Sequence, residues 1–503
     1  MTTHLHDVLI RKAFWTAIFI VVLAGVPALA ADARQPDEGL ATSDARSTDV
    51  DHDGHDETPH WATVIPFVVL LLCIAILPLF HKTMHWWEDN RNRLLISLLL
   101  SVPVMIFYFS FLPYHGHKPG GGALHWMLRH ATLGEYIPFI VLLFSLYVIS
   151  GGIVLRGDLQ ARPITNTAFM GIGALLASFI GTTGAAMLLI RPVLHTNAER
   201  RNVKHTVIFF ILLVCNCGGC LLPIGDPPLF LGYLRGVPFW WTMSLWPQWL
   251  FVNLILLVIY FIWDTISYRK EKPRDIKRDE TQIRKLQLVG KVNLLFLVGV
   301  VIVVAVSVPG KPFPFTNTAV PEFMREVAMI ILVVLSLRFT PKGLRKENNF
   351  NYGAIAEVAA LFIGIFITMQ PALQILGSSG AEIGLSQPWH FFWATGTLSS
   401  FLDNAPTYVV FFETAGTLRP EGMPLMNNVA TTLGTIPIPL LTAISLAAVF
   451  MGTMSYIGNG PNFMVKSIAE QSGIKMPSFF GYMVYSVLIM LPILIVLTFV
   501  FPI

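Results

Sequence analysis

The residues best suited to chemistry lie in two short strings that nearly repeat. Ile224-Gly225-Asp226-Pro227-Pro228-Leu229-Phe230 returns as Ile457-Gly458-Asn459-Gly460-Pro461-Asn462-Phe463. A third string, Leu402-Asp403-Asn404-Ala405-Pro406-Thr407, and a fourth, Gly181-Thr182-Thr183-Gly184, also interrupt long apolar runs. Glycine, proline and an acid or amide are costly there, and interrupted apolar segments in both halves of a chain point to a transporter's binding site. The side chains at these points are Asp403, Asn404, Thr407, Asp226, Asn216, Thr182, Thr183, Asn459, Asn462 and Ser455. This is a hard-oxygen set, suited to Na⁺ or another small cation rather than to a soft metal. Asp226 and Asp403 stand out because an ionisable residue in an apolar span is by default functional. A buried carboxyl favours its neutral form and a bound cation favours the charged one. Competition between Na⁺ and H⁺ at such a group is sufficient for antiport.

Each of these residues also has a plainer role open to it. Asp226 before Pro227-Pro228, and Asp403 before Asn404-Ala405-Pro406, have the form of helix caps. Glu135 and Glu357 stand near the starts of apolar runs, where a carboxylate either anchors at an interface or marks a proton path. Arg191 and Arg235 read as snorkelling helix-end residues. Trp61, Trp86, Trp87, Trp240 and Trp241 read as an interfacial belt. Cys215, Cys217 and Cys220 fall within one apolar segment and read as small packing residues, because a zinc site needs four ligands held tetrahedrally. No metal site or cofactor is expected. No P-loop is present, so energy must come from an ion gradient. No nucleophile–base pair suggests an enzyme.

The elements that position these residues follow from composition. Of 503 residues, 54% are hydrophobic and only 13% charged, against roughly 25% charged in a soluble protein. Many runs reach the ~20 residues that span a bilayer. The expected fold is an all-α membrane protein, and its basic residues set topology rather than bind nucleic acid. Arg11 and Lys12 precede an apolar stretch that ends in Ala28-Leu29-Ala30, which reads as a signal peptide over 1–30; an uncleaved first helix is the alternative. Residues 31–60 read as a disordered periplasmic tail, and the Asp51–Asp56 stretch as solvated linker.

Beyond the tail, the pattern predicts ten spans and two re-entrant hairpins. A first half covers 61–263, with a hairpin at 167–194 and a broken span at 206–233. A basic cytoplasmic linker follows at 264–291. A second half covers 292–503, with a hairpin at 389–412 and a broken span at 438–469. Arginines flank the first hairpin on both sides, so it enters from the cytoplasm; the second has almost no basic flank and enters from the periplasm. Glu135 and Glu357 are 222 residues apart, as are Gly181 and Asp403, while Asp226 and Asn459 are 233 apart. Five crossings per half make the halves inverted, the architecture of secondary transporters with a midplane site. Both mature termini are then periplasmic, in a bacterial inner membrane.

On the strings at 223–230, 402–407 and 458–462, the chain from about residue 61 to its end resembles the ion-transporter superfamily, in its citrate-transport or sodium:proton antiporter branch. The resemblance implies a scaffold domain, a transport domain bearing two hairpins, and a homodimer working by an elevator motion. Dicarboxylate members carry Ser-Asn-Thr at both hairpin tips, and this chain has it at neither. Asp403 at a tip would also repel a carboxylate substrate, since like charges ~4 Å apart repel by several kcal/mol even when partly screened. The reading is therefore a sodium(lithium)/proton antiporter, with small inorganic cations, protons and the bilayer as partners. The alternative is a cation-coupled citrate or dicarboxylate symporter.

Overall fold

The computed structural model describes residues 58–501 apart from 115, 275, 277–278, 280–283, 310, 314–317 and 432. The expected signal at 1–30 and nearly all of the tail at 31–60 lie outside the described residues. The described residues are mostly helical and form no closed sheet.

In chain order, α1 (Ile65–Ile76) and α2 (Asn90–Ser110) lead to α3 (Gly121–Ser150), which contains a π-turn over His130–Tyr136. Then come β1 (Val154–Asp158), α4 (Pro163–Ile180), α5 (Thr182–Thr196), α6 (Lys204–Leu213), α7 (Pro227–Leu234) and α8 (Trp246–Tyr268). β2 (Arg284–Val289), α9 (Val292–Val306), α10 (Met324–Phe339), α11 (Gly353–Thr368) and α12 (Gln370–Ser379) follow. α13 (Pro388–Phe401), α14 (Asn404–Gly416), a ribbon of β3 (Leu425–Asn427) and β4 (Thr435–Pro437), α15 (Ile438–Met451), α16 (Gly460–Gln471) and α17 (Phe479–Val500) complete the chain.

Among the described residues, five helical segments are long and apolar enough to cross a membrane: α2, α3, α4, the run Phe239–Tyr268 that ends in α8, and α17. A sixth is obtained if α11 and α12, bent by 43°, are one span. The bend sits where Pro371, in the first turn of α12, has no N–H to donate to the preceding turn. α3 begins well before Glu135, because His125, Arg129 and His130 interrupt the apolar run without interrupting the helix. Glu135 is thus buried inside a long helix rather than placed at a span start.

The breaks fall where glycine, proline and the acid–amide strings stand. α4 and α5 part at Gly181, whose φ of +77° suits only glycine without strain. α13 and α14 part at Leu402 and Asp403. Residues 214–226 separate α6 from α7, and 452–459 separate α15 from α16, with only short 3₁₀ turns between. These irregular stretches pack closely. A Cβ on Gly218 would meet the Ala174 backbone at 2.5 Å, and one on Gly396 would meet the Met451 sulfur at 1.9 Å.

A buried polar cluster fastens the base of the α4–α5 pair. Asp264 of α8 accepts from Arg200 at 2.6 and 3.1 Å and from Asn166 Nδ2 at 3.1 Å, and lies 2.8 Å from His205 Nε2. Asn166 and Asn197 bond reciprocally. The basic linker is not a bare loop: its β2 pairs antiparallel with β1, Val289 opposite Val154. Its Glu271 accepts the Arg201 and Asn202 amides, and Asp279 accepts the Ala161 amide. Two side chains expected at interfaces are buried instead. Trp87 lies under the Arg93 guanidinium, 6.0 Å from its ring centre, and Arg235 pairs with Glu135. The reasons differ: the Trp87 ring buries apolar surface, whereas Arg235 is buried only because Glu135, 100 positions away, compensates its charge.

Deleting one member of the Asp264 cluster leaves a buried charge under-compensated. Arg200→Ala is expected to lower the unfolding free energy by about 3–5 kcal/mol, read as a fall in the melting temperature in detergent, with partial recovery in Arg200→Lys.

Candidate functional site

Asp226 is the last extended residue before α7, and Asn459 holds the same place before α16. Neither side chain caps its own helix. Both turn inward and meet, Asn459 Nδ2 donating to Asp226 Oδ1 at 2.8 Å. Thr182, first in α5, donates its hydroxyl to the same oxygen at 3.0 Å. Asn404, first in α14, donates Nδ2 to Asp226 Oδ2 at 2.7 Å. Four separate segments thus converge on one carboxylate, and every one of these side chains is buried.

The backbone is laced in the same pattern. The Thr182 amide donates to the Gly225 carbonyl at 2.9 Å, and the Asn404 amide to the Gly458 carbonyl at 3.2 Å. Thr182 and Asn404 are 222 residues apart, and Gly225 and Gly458 are 233 apart, the offsets already seen in the sequence. Ser178 Oγ bonds the Gly218 carbonyl at 2.5 Å; at the same offsets, Ser400 Oγ lies 3.4 Å from the Met451 carbonyl. Gly219 faces Gly225 as Gly452 faces Gly458, each pair too close for a Cβ on the second member.

Further amides tie the two breaks together. Asn216 Nδ2 donates to Asn462 Oδ1 at 2.7 Å, Asn459 Nδ2 also reaches the Cys215 carbonyl at 3.1 Å, and Asn462 Nδ2 bonds the Gly452 and Ser455 carbonyls. Ser455 Oγ accepts the Gly458 amide at 3.1 Å and so shapes the second break. Two buried acceptors remain without a donor: Asn216 Oδ1 and Asn404 Oδ1. Both side chains face Gly452, where a Cβ would lie 3.3 Å from Asn216 Oδ1 and 3.4 Å from Asn404 Nδ2. Unpaired buried oxygens are what a small hard cation would use, and one of the two belongs to Asn404, which bonds Asp226 through its amide nitrogen.

Among the described residues, no Arg, Lys or His bonds Asp226; its donors are two amides and a hydroxyl. A carboxylate buried among neutral donors costs several kcal/mol unless a proton or cation compensates it. That is the chemical capacity of the arrangement: one position that either a proton or a metal cation can satisfy.

The remaining expected residues lie at the margin. Asp403 is half-buried and accepts the Ala405 amide on its Oδ1 at 3.0 Å, a helix cap on α14. Thr407 bonds the Asp403 carbonyl along that helix, and Thr183 is half-buried outside the bonded set. Cys215, Cys217 and Cys220 are buried free thiols. Glu135 pairs with Arg235 and receives Gln370 Nε2 at 3.4 Å, while Glu357 pairs with Arg93 at 3.0 Å. A carboxylate already matched to a guanidinium is poorly placed to shuttle protons. The sequence reading overlooked the clasping carbonyls of Gly225 and Gly458; the matched glycines at 219, 225, 452 and 458 were the available signal.

Those glycines give a test of the geometry. A Cβ at position 225 would lie 2.2 Å from the Gly219 carbonyl, whereas one at Gly460 meets nothing within 4 Å. Gly225→Ala is expected to cost about 1–3 kcal/mol, and Gly460→Ala to stay within about 0.5 kcal/mol of the parent, measured by thermal unfolding in detergent.

A search among curated proteins finds no match. The family model described as "Putative citrate transport" matches residues 56–502, so it takes in both broken segments and both helix pairs that surround Asp226. The chain belongs to this citrate-transport family of the ion-transporter superfamily, a secondary transporter carried by several membrane-spanning helices.

Proposed function

We propose that the protein exchanges Na⁺ or Li⁺ for H⁺ across a bacterial inner membrane, with Asp226 as the group both ions compete for. The observation that carries this reading is a buried carboxylate held by neutral donors alone, with unpaired amide oxygens on Asn404, which bonds it, and on Asn216 of the same break. Asn404, Asn459 and Thr182 hold it, Asn216, Asn462 and Ser455 keep the two breaks in register, and Asp403, Thr407 and Thr183 flank the entry from the hairpin tips. Asp403 adds negative potential there. Glu135 and Glu357 act as ion-pair anchors in this scheme.

Several features favour a cation over an anion at this point. α7 begins with Pro227-Pro228, which have no N–H to offer. The first amides of α5 and α14 are already closed by the Gly225 and Gly458 carbonyls. Helix N-termini bind anions only through free amides. The matched bonds at offsets of 222 and 233 residues support an inverted repeat, with halves at 61–263 and 292–503, hairpins at α4–α5 and α13–α14, ten spans and periplasmic termini. A homodimer in the bilayer completes the scheme.

Family membership favours a second reading, in which the same cation site drives uptake of citrate or a dicarboxylate. Purified protein in liposomes with an internal pH dye and an imposed pH gradient separates the two. Dissipation by NaCl or LiCl alone, lost in Asp226→Asn and weakened several-fold in apparent Na⁺ affinity by Asp403→Asn, is expected for antiport. Silence to cations, with labelled citrate uptake that requires Na⁺, would replace antiport by symport.

A further inference from the structure

The positions around Asp226 come in matched pairs. Asp226 and Asn459 precede α7 and α16 with φ/ψ of −143°/143° and −154°/141°. Thr182 and Asn404 open α5 and α14, and each clasps a glycine carbonyl of the neighbouring break. The backbone therefore presents two equivalent places for an acid, pointed at each other, and fills only one. The other holds Asn459, whose Nδ2 spends itself on Asp226 Oδ1 at 2.8 Å and on the Cys215 carbonyl at 3.1 Å. Aspartate there would place two carboxylates in direct contact.

We infer that Asn459 restricts the transported cation to a single charge. The inference rests on the cation-transport reading above and adds the residue that sets the valence. Affinity for Ca²⁺ and related ions rises with the number of charged ligands, and a divalent ion loses far more hydration on burial than one carboxylate returns. The other unpaired oxygens at the site, Asn216 Oδ1 and Asn404 Oδ1, are neutral. One charge and a few amide oxygens match a monovalent hard cation. Asp403 is the other acid near this point, and its Oδ1 is committed to the cap of α14 rather than to the ring around Asp226. The nearest basic groups by chain position, Lys466, Arg191 and Arg235, make no bond to the ring; Lys466 pairs with Glu470 and Arg235 with Glu135. The charge offered to the ion by directly bonded residues thus comes from Asp226, while the amides of Asn459 and Asn404 hold the adjoining places neutral.

The experiment compares Na⁺, Li⁺, Mg²⁺ and Ca²⁺ as dissipators of a pH gradient in proteoliposomes of the full chain. The wild type is expected to respond to Na⁺ or Li⁺ and not to Mg²⁺ or Ca²⁺. Asn459→Asp is expected to raise the ratio of divalent to Na⁺ response by about tenfold or more. Asn404→Asp adds the second charge from the other side of Asp226 and should shift the ratio the same way. Asn459→Ser adds no charge and should keep divalents excluded even where it slows Na⁺. Folding of each variant is read from its melting profile. A wild type that exchanges Ca²⁺ or Mg²⁺ as readily as Na⁺ overturns the inference while leaving cation transport standing. Two folded Asp variants that still ignore divalents do the same. If neither Asp variant folds, the wild-type ratio and Asn459→Ser decide. Absence of any cation-driven flux in the wild type overturns both readings.

Discussion

One carboxylate governs the architecture. Asp226 lies at the meeting point of two broken helices and two helix pairs, and each contributes a neutral donor to it or is tied to one that does. An acid so placed is unstable by itself, and that instability is useful in a transporter: the group must hold something to remain buried. The convergence of segments far apart in the chain fixes its donors in place.

The irregular backbone that makes this possible has its own requirements. Carbonyls and amides released by the breaks would be costly in an apolar interior without partners. Here the free amide at the start of α5 meets the free carbonyl at Gly225, and the start of α14 meets Gly458. The glycines at 219, 225, 452 and 458 permit backbone contact that any side chain would obstruct. Ser178 and Ser400 take up further carbonyls. The site is thus built from the same bonds that satisfy the breaks, and little of it is independent of the fold.

Away from the ring, several buried charges are matched to opposite charges. Glu135 with Arg235 joins α3 to the end of α7, and Asp264 with Arg200 and His205 joins α8 to the base of the α4–α5 pair. Buried Glu271 and Asp279 are instead held by backbone amides of the loops beside the linker. Asp226 differs from both kinds: side-chain amides and a hydroxyl from three other segments hold it.

Much of this was readable in the sequence. Helix class, the breaks at 181–184 and 403–406, the repeated strings and the offsets of 222 and 233 residues follow from local composition, because glycine and proline interrupt an apolar run wherever it folds. Of the ten proposed site residues, all but Thr183 enter the bonding described at the breaks and tips. The ranking among them was not readable. Asp226 and Asp403 look alike as strings, each an acid before amide or proline, and only packing makes one the centre and the other a cap. Nor did the sequence show that Arg235 turns inward to Glu135, or that the basic linker folds back as β2. These outcomes depend on pairings such as Asp226 with Asn404, 178 positions apart. Local pattern sets what a segment can be, whereas a long-range partner sets whether its charge is buried, neutral or free.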